Sequence, residues 1–138
     1  MLKKLLFILS CYLFLTCSST ANLANCIQTL PLNIATDLNN PEMINAQTPG
    51  GFAELSGGQK GILIFNKNGR DFVAFDKFCP NSDCATPMVF KNRLLQCPCD
   101  KSKYSVDFGG APQTAGFQCP AIEYKVTKNG STLRISNF

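Results

Sequence analysis

The sequence predicts a small all-β domain, an antiparallel sandwich or barrel with long loops at one end. Short apolar runs are separated by glycine, proline and asparagine, and no segment shows a convincing helical repeat. Phenylalanine is plentiful at 11 residues and tryptophan is absent. This composition favours strands and turns over helices. A length of 138 residues fits one such domain preceded by a targeting segment.

The strands are predicted from alternation and from turn signals. Residues 32–38 alternate apolar and polar side chains, as a half-buried strand does. Asn68-Gly69 and Asn129-Gly130 each separate two β-rich runs, and Asn-Gly supplies the positive φ that a hairpin turn requires. The predicted strands are 32–38, 52–55, 62–65, 72–75, 104–108, 122–126 and 133–135, the apolar pair 94–95 leads into a cysteine loop, and 45–51 and 111–120 are expected to be loops.

Residues 1–17 have the pattern of a secretory signal peptide. Two lysines precede an apolar run that is too short for a transmembrane helix, which needs about 20 residues. The run ends in Leu-Thr-Cys, which resembles a bacterial lipoprotein signal and makes Cys17 the candidate lipidated residue. Residues 8–11, Ile-Leu-Ser-Cys, also fit such a signal but would leave a very short apolar run before it, and ordinary cleavage after Ala21 or Ala24 is the competing alternative. We therefore expect a lipoprotein anchored in the bacterial cell envelope, facing the periplasm or the surface.

The rest of the chain divides into a small polar tether, residues 18–29, and the β-domain, residues 30–138. The formal net charge is +4, but no lysine or arginine cluster remains outside the signal, so nucleic-acid binding is not expected. Histidine is absent. That absence excludes histidine-based acid–base catalysis, histidine-paired nucleophiles and histidine-ligated metals. We therefore do not expect an enzyme.

Six unmodified cysteines remain after processing. An even number outside the cytoplasm favours disulfides. Four of them form two loops, with Cys79 and Cys84 in the first and Cys97 and Cys99 in the second. Two such loops, brought together by one hairpin, either hold a metal or are closed by disulfides. The other two cysteines are Cys26 and Cys119.

These loops resemble those of the Rieske iron–sulfur family. In that family one loop supplies Cys-x-His and the other Cys-x-x-His, and the two cysteines bind one iron while the two histidines bind the other. The corresponding segments are 79–81, which reads Cys-Pro-Asn, and 97–100, which reads Cys-Pro-Cys-Asp, with fifteen residues between them. The resemblance implies a Rieske-like β-domain with both cysteine loops at one end and with Cys79 and Cys97 at the iron-ligand positions.

The resemblance extends to the branch of the family found in respiratory cytochrome complexes. That branch has an extra cysteine in each loop, joined as a disulfide, and Cys84 and Cys99 fall on those positions. Ser102 and Tyr104 match the residues that follow the second histidine there. The segment 110–124 is similar to the proline loop that covers the cluster.

The chain departs from the family at both histidine positions. Asn81 stands at the first and Asp100 at the second. A carboxamide is a weak iron ligand, and a carboxylate is a hard one that replaces imidazole poorly. We therefore expect that a conventional Rieske centre does not form.

Three interpretations of the loops remain open. In the first, the cluster is lost and the loops are stapled by Cys84–Cys99, with Cys79–Cys97 as a second bridge and Cys26 left to pair with Cys119. The domain would then be a binding or structural module with no cofactor. The Cys84–Cys99 bridge alone would contribute about 3 kcal/mol in the chain-entropy model.

In the second interpretation the protein is an electron carrier with a variant [2Fe–2S] cluster. Cys79 and Cys97 would bind one iron, and Asp100 with Asn81, water or another cysteine would complete the other. In the third, the four loop cysteines hold a structural zinc ion, although Cys-x-Cys is tight spacing for one tetrahedral ion. The expected partners are the membrane, through the lipid anchor, and a redox or envelope protein.

Overall fold

The structure is a computed structural model that describes Cys26 and residues 30–137 except Ser82. The predicted signal peptide with Cys17, and most of the predicted tether, lie outside the described residues. Within the described part, no helix has both the length and the apolar character needed to cross a bilayer.

The described residues form two antiparallel sheets, which confirms the predicted all-β class. The larger sheet has six strands in the order β1-β10-β9-β4-β3-β2, and the smaller has four in the order β5-β6-β7-β8. The strands are β1 Asn33–Asp37, β2 Phe52–Leu55, β3 Ile62–Asn66, β4 Phe72–Asp76, β5 Val89–Lys91, β6 Leu94–Gln96, β7 Lys103–Ser105, β8 Ala111–Pro112, β9 Glu123–Asn129 and β10 Thr132–Ser136.

One short helix departs from the sequence prediction. A 3-10 helix spans Pro41–Gln47, where turn and loop were expected. Pro41 stands in its first turn, where the missing N–H is tolerated. Its residues Met43 and Ala46 are fully buried. A helix this short has too little apolar periodicity to be recognised from the sequence. Strands β5 and β8 were also not predicted, and β7 ends at Ser105 instead of continuing to 108.

Three tight hairpins set the registers of the sheets. Gly69, in the turn between β3 and β4, has the positive φ predicted there, at 90°. Asn129 pairs with Thr132, so the two central residues of the last turn are Gly130 and Ser131, one position later than predicted. The third hairpin, from β5 to β6, was missed.

Strand β3 separates two cores, because its side chains are buried on both faces. Ile62 and Ile64 pack into a core with strands β9 and β10. Leu63 and Phe65 point the other way and pack against the small sheet. That second core contains three cysteines of the loops, Cys79, Cys84 and Cys97. These three cysteines of the loops are therefore packed into the hydrophobic interior of the domain.

Candidate functional site

The cysteine loops lie at the ends of paired strands. The first loop, residues 77–88, follows β4, and the second loop, residues 97–102, connects β6 to β7. The chain leaves the large sheet after Asp76 and returns to it at β9, which pairs with β4. The small sheet and both loops are thus inserted between two neighbouring strands of the large sheet.

Three disulfides join the six cysteines of the described residues. Cys84 is bonded to Cys99 and Cys79 to Cys97, so each of these bridges links the first loop to the second. Their Cα–Cα distances are 5.9 and 5.5 Å, within the usual range for disulfides. The third bridge joins Cys26 to Cys119 across 93 residues of sequence. The structure therefore brings together each pair that the first interpretation names.

The two loop disulfides lie side by side. The sulfur atoms of Cys79, Cys84 and Cys97 are all within 4.8 Å of one another. These three residues are no more than 2% exposed, whereas Cys99 is exposed. Among the described residues, these three sulfurs form a group close enough to share a metal ion when reduced.

A chain of side-chain hydrogen bonds joins the two loop tips beside the disulfides. The Asn81 amide Nδ2 donates to the Tyr104 hydroxyl at 2.8 Å, and that hydroxyl donates to Ser102 Oγ at 2.9 Å. Ser102 Oγ donates in turn to the Asp100 carboxylate at 2.5 Å, and the Ser102 backbone N–H donates to the same oxygen at 2.9 Å. The two positions at which the family has histidine are thus the two ends of one polar chain.

The middle of this chain is buried. Tyr104 and Ser102 are inaccessible to solvent, while Asn81 is exposed. Burial raises the pKa of the Tyr104 hydroxyl, and the hydrogen bonds with Ser102 and Asn81 oppose part of that rise. The hydroxyl therefore stays protonated and remains a donor at neutral pH.

Asp76 fixes the start of the first loop. Its fully buried carboxylate accepts hydrogen bonds from three backbone N–H groups and one hydroxyl, those of Gln59 at 2.6 Å, Lys60 at 3.1 Å, Phe78 at 2.9 Å and Tyr124 at 2.8 Å. The bond to Phe78 orders the residue just before Cys79. Burial, and secondarily the hydrogen bond with Asp76, raise the pKa of Tyr124.

Sequence reasoning missed Asp76 and its partners. A weak signal was present, since an aspartate directly follows the predicted strand 72–75. Gly58, with φ +60°, leaves room for the carboxylate, because a Cβ there would collide with Asp76 Oδ2. Nothing in the sequence indicated that these segments, 16 to 18 residues apart, meet.

Comparison with solved structures gives a likeness of fold. The ferredoxin of carbazole 1,9a-dioxygenase from Nocardioides aromaticivorans IC177 is similar with a TM-score of 0.53 and 16% identity, over 78% of this chain and 98% of that one. A second similar chain comes from the complex of reduced oxygenase and oxidized ferredoxin in carbazole 1,9a-dioxygenase, with a TM-score of 0.49 and 14% identity, over 64% of this chain and 82% of that one. No protein-family model matches the sequence, and no match was found among curated proteins.

The fold is a Rieske-like β fold. A six-stranded sheet carries a small four-stranded sheet, and two cysteine-bearing loops meet at the ends of the strands. In this chain the two loops are joined by two disulfides.

Proposed function

We propose that the protein is an exported, lipid-anchored Rieske-like domain whose loops are closed by disulfides in place of an iron–sulfur cluster. It would act as a binding or structural module of the cell envelope and not as an enzyme. The observation that carries the proposal is the Cys79–Cys97 disulfide. The family resemblance assigns these two sulfurs to one iron, and sulfurs bonded to each other have no thiolate to give a metal.

The remaining donors do not fit a conventional Rieske cluster either. Imidazole is required for the second iron, and the chain has no histidine. At the corresponding positions, the Asn81 amide is engaged as a donor to Tyr104, and Asp100 accepts from Ser102. No buried side-chain nitrogen or oxygen of the described residues lacks a hydrogen-bond partner. The polar groups of the site therefore satisfy one another without a cofactor.

The loop tips are the surface that such a module would present to a partner. Asn81, Asp83, Cys99 and Lys101 are exposed there. The two bridges between the loops reduce the conformational freedom of this surface, and a preorganised surface loses less entropy on binding. An envelope protein with complementary polar groups is the partner class we propose.

A second candidate function is one-electron transfer through a variant [2Fe–2S] cluster. The close approach of three sulfurs favours it, because Cys79, Cys84 and Cys97 could serve as thiolate ligands if the disulfides were reduced. The likeness of fold to the ferredoxin of carbazole 1,9a-dioxygenase is compatible with it. The cluster-free function is preferred because an oxidising compartment pairs free thiols.

Iron and thiol analysis of the full-length protein separates these functions. We expect anaerobically purified protein to show no cluster absorption, no EPR signal and no free thiol among the six domain cysteines. Stoichiometric iron with a cluster spectrum would establish the electron carrier instead. The double variant Asn81→His/Asp100→His is a matched control for reconstitution with iron and sulfide under reducing conditions, since it supplies both imidazoles and keeps all four loop cysteines, although it also replaces the two ends of the polar chain.

The anchor requires its own test, because Cys17 lies outside the described residues. Cys17→Ala should abolish incorporation of labelled palmitate and release the protein from membranes. Palmitate labelling that persists in the variant, or a soluble wild-type protein, would contradict the lipoprotein part of the proposal. Neither result would alter the conclusion about the loops.

A further inference from the structure

The two loop disulfides differ in accessibility although they lie in contact. Cys99 is exposed, and its partner Cys84 is 2% exposed. Cys79 and Cys97 are 1% and 0% exposed, so an external thiol has no direct path to their bridge. A thiolate must reach a disulfide sulfur to exchange with it. Of the two loop bridges, the outer Cys84–Cys99 bridge is therefore the one that a thiol reagent can enter.

Cys84 is placed to carry that reaction inward. Its sulfur lies within 4.8 Å of the sulfurs of both Cys79 and Cys97. Once the bond to Cys99 is broken, rotation of the Cys84 side chain about χ1 can bring its sulfur against either of these two sulfurs. No second molecule needs to enter the core for the next exchange.

We infer that the two bridges form a thiol–disulfide relay: an external dithiol opens the outer bridge at Cys99, and the released Cys84 thiolate exchanges with the buried Cys79–Cys97 bridge, so that one of the two resulting thiols lies on a buried cysteine. This inference rests on the disulfide-closed loops of the proposed function. It gives the module a redox activity that depends on neither iron nor histidine. The reductant is a dithiol, small or carried by a protein.

The exchange balances in three steps. A thiolate of the dithiol attacks Cys99 Sγ, forms a mixed disulfide there and releases Cys84 as a thiolate. Cys84 attacks Cys79 or Cys97, forms a bond with that sulfur and releases the other as a thiolate, which takes a proton. The second thiol of the dithiol then attacks the mixed disulfide, leaves as an oxidised cyclic disulfide and releases Cys99 as a thiol.

The products identify this path. Two bridges and one dithiol become one bridge, two protein thiols and one oxidised reductant. The remaining bridge joins Cys84 to Cys79 or Cys97, and the free thiols are Cys99 and the residue that Cys84 did not attack. Simple opening of the outer bridge would leave free thiols at Cys84 and Cys99 instead.

Two single variants provide a matched test without any reductant. Cys99→Ser and Cys84→Ser each remove the outer bridge and each leave one thiol, so their loss of stability is similar. In Cys99→Ser the remaining thiol is Cys84, next to the buried bridge. In Cys84→Ser it is Cys99, which does not belong to the group of close sulfurs.

The readout is the position of the free thiol after acid quenching, unfolding and maleimide labelling, mapped by mass spectrometry. We expect label at Cys79 or Cys97 as well as at Cys84 in the Cys99→Ser variant, and label at Cys99 alone in the Cys84→Ser variant. Label confined to Cys84 in the first variant, or scattered alike in both, would overturn the relay.

Limited reduction of the wild-type protein keeps the inference testable if a variant fails to fold. Cys26 and Cys119 are partly exposed and their bridge can also be reduced, so the readout is confined to the four loop cysteines. With one equivalent of dithiothreitol, we expect label among these four at Cys99 and at Cys79 or Cys97, with Cys84 protected. Label at Cys84 and Cys99 would overturn the relay while leaving the proposed function intact. Free thiols or iron in the protein before any reductant is added would instead overturn the proposed function.

Discussion

Replacing Asp76 with asparagine is expected to lower the free energy of unfolding by about 3 kcal/mol. One carboxylate oxygen, Oδ2, accepts from Gln59 N–H and the Tyr124 hydroxyl. The other, Oδ1, accepts from Lys60 N–H and Phe78 N–H. Asparagine keeps one of these oxygens and turns the other into an NH₂ group, which donates and does not accept.

The magnitude depends on which oxygen is lost. With NH₂ at the Oδ2 position, the Tyr124 hydroxyl can turn to accept, but the Gln59 amide loses its acceptor. With NH₂ at Oδ1, two backbone N–H groups lose theirs. Each orphaned buried donor costs about 1–3 kcal/mol, and each remaining bond loses about 1 kcal/mol when its acceptor is no longer charged. Removing the buried charge recovers part of its desolvation cost, which is why we take about 3 kcal/mol and not the full sum.

Urea unfolding followed by circular dichroism measures this loss. Asp71→Asn is the matched control, because Asp71 is exposed and accepts one side-chain hydrogen bond, from Asn68. We expect the control to stay within about 0.5 kcal/mol of the wild type. Amide exchange should also accelerate at Gln59 or Phe78 in the Asp76 variant. If the two variants have equal stability, the assignment of Asp76 as the anchor of the first loop is wrong.

Three further changes test other parts of the structure. Gly58→Ala should lower the free energy of unfolding by about 2 kcal/mol more than Gly130→Ala does. Both glycines have φ +60°, but an added Cβ meets the Asp76 carboxylate only at Gly58. Equal decreases in stability, measured by thermal unfolding, would refute the close packing. Tyr104→Phe should lower the free energy of unfolding by about 1–3 kcal/mol in urea, because it removes the hydrogen bond from Asn81 in the first loop and the one to Ser102 in the second. An unchanged midpoint would contradict the polar chain. The hydrogen-bonded Arg93 guanidinium lowers the pKa of Asp107 below 3.8, so this ion pair stabilises the fold above that pH and ceases to do so as pH falls through the lowered pKa. The difference in unfolding free energy between wild type and Asp107→Asn should therefore shrink on acidification. A difference that does not change with pH would refute the pairing.

The strands were largely predictable because short apolar runs and Asn-Gly pairs mark them locally. The missed β5–β6 hairpin shows where this reasoning fails. Asn92 and Arg93 have φ values of 52° and 61°, a left-handed conformation that is energetically unfavourable for arginine. A glycine at this position would have indicated the turn in the sequence. Arg93 is held by two hydrogen bonds to Asp107 and by the ring of Phe65, 4.9 Å from its guanidinium carbon. Those partners are distant in sequence, so no local pattern reveals the turn.

The site was predictable to the extent that the family resemblance assigns its positions. The resemblance named Asn81 and Asp100 as departures from the family, but it gave no account of what these side chains do. Their connection through Tyr104 and Ser102 spans 23 residues of sequence and depends on the two loops being adjacent. Such a contact follows from the packed fold and has no counterpart in composition or spacing.

The cysteine loops lie in an insertion between two paired strands, so the loops can change independently of that strand pairing. Tyr124 lies opposite Ala74 and Glu123 opposite Phe75, so the chain departs and returns at neighbouring points, as it would in an ordinary hairpin. The backbone pairing of β4 with β9 does not run through the two cysteine loops. Single substitutions at the loop tips could therefore change the chemistry of the loops without changing the pairing of the strands that carry them.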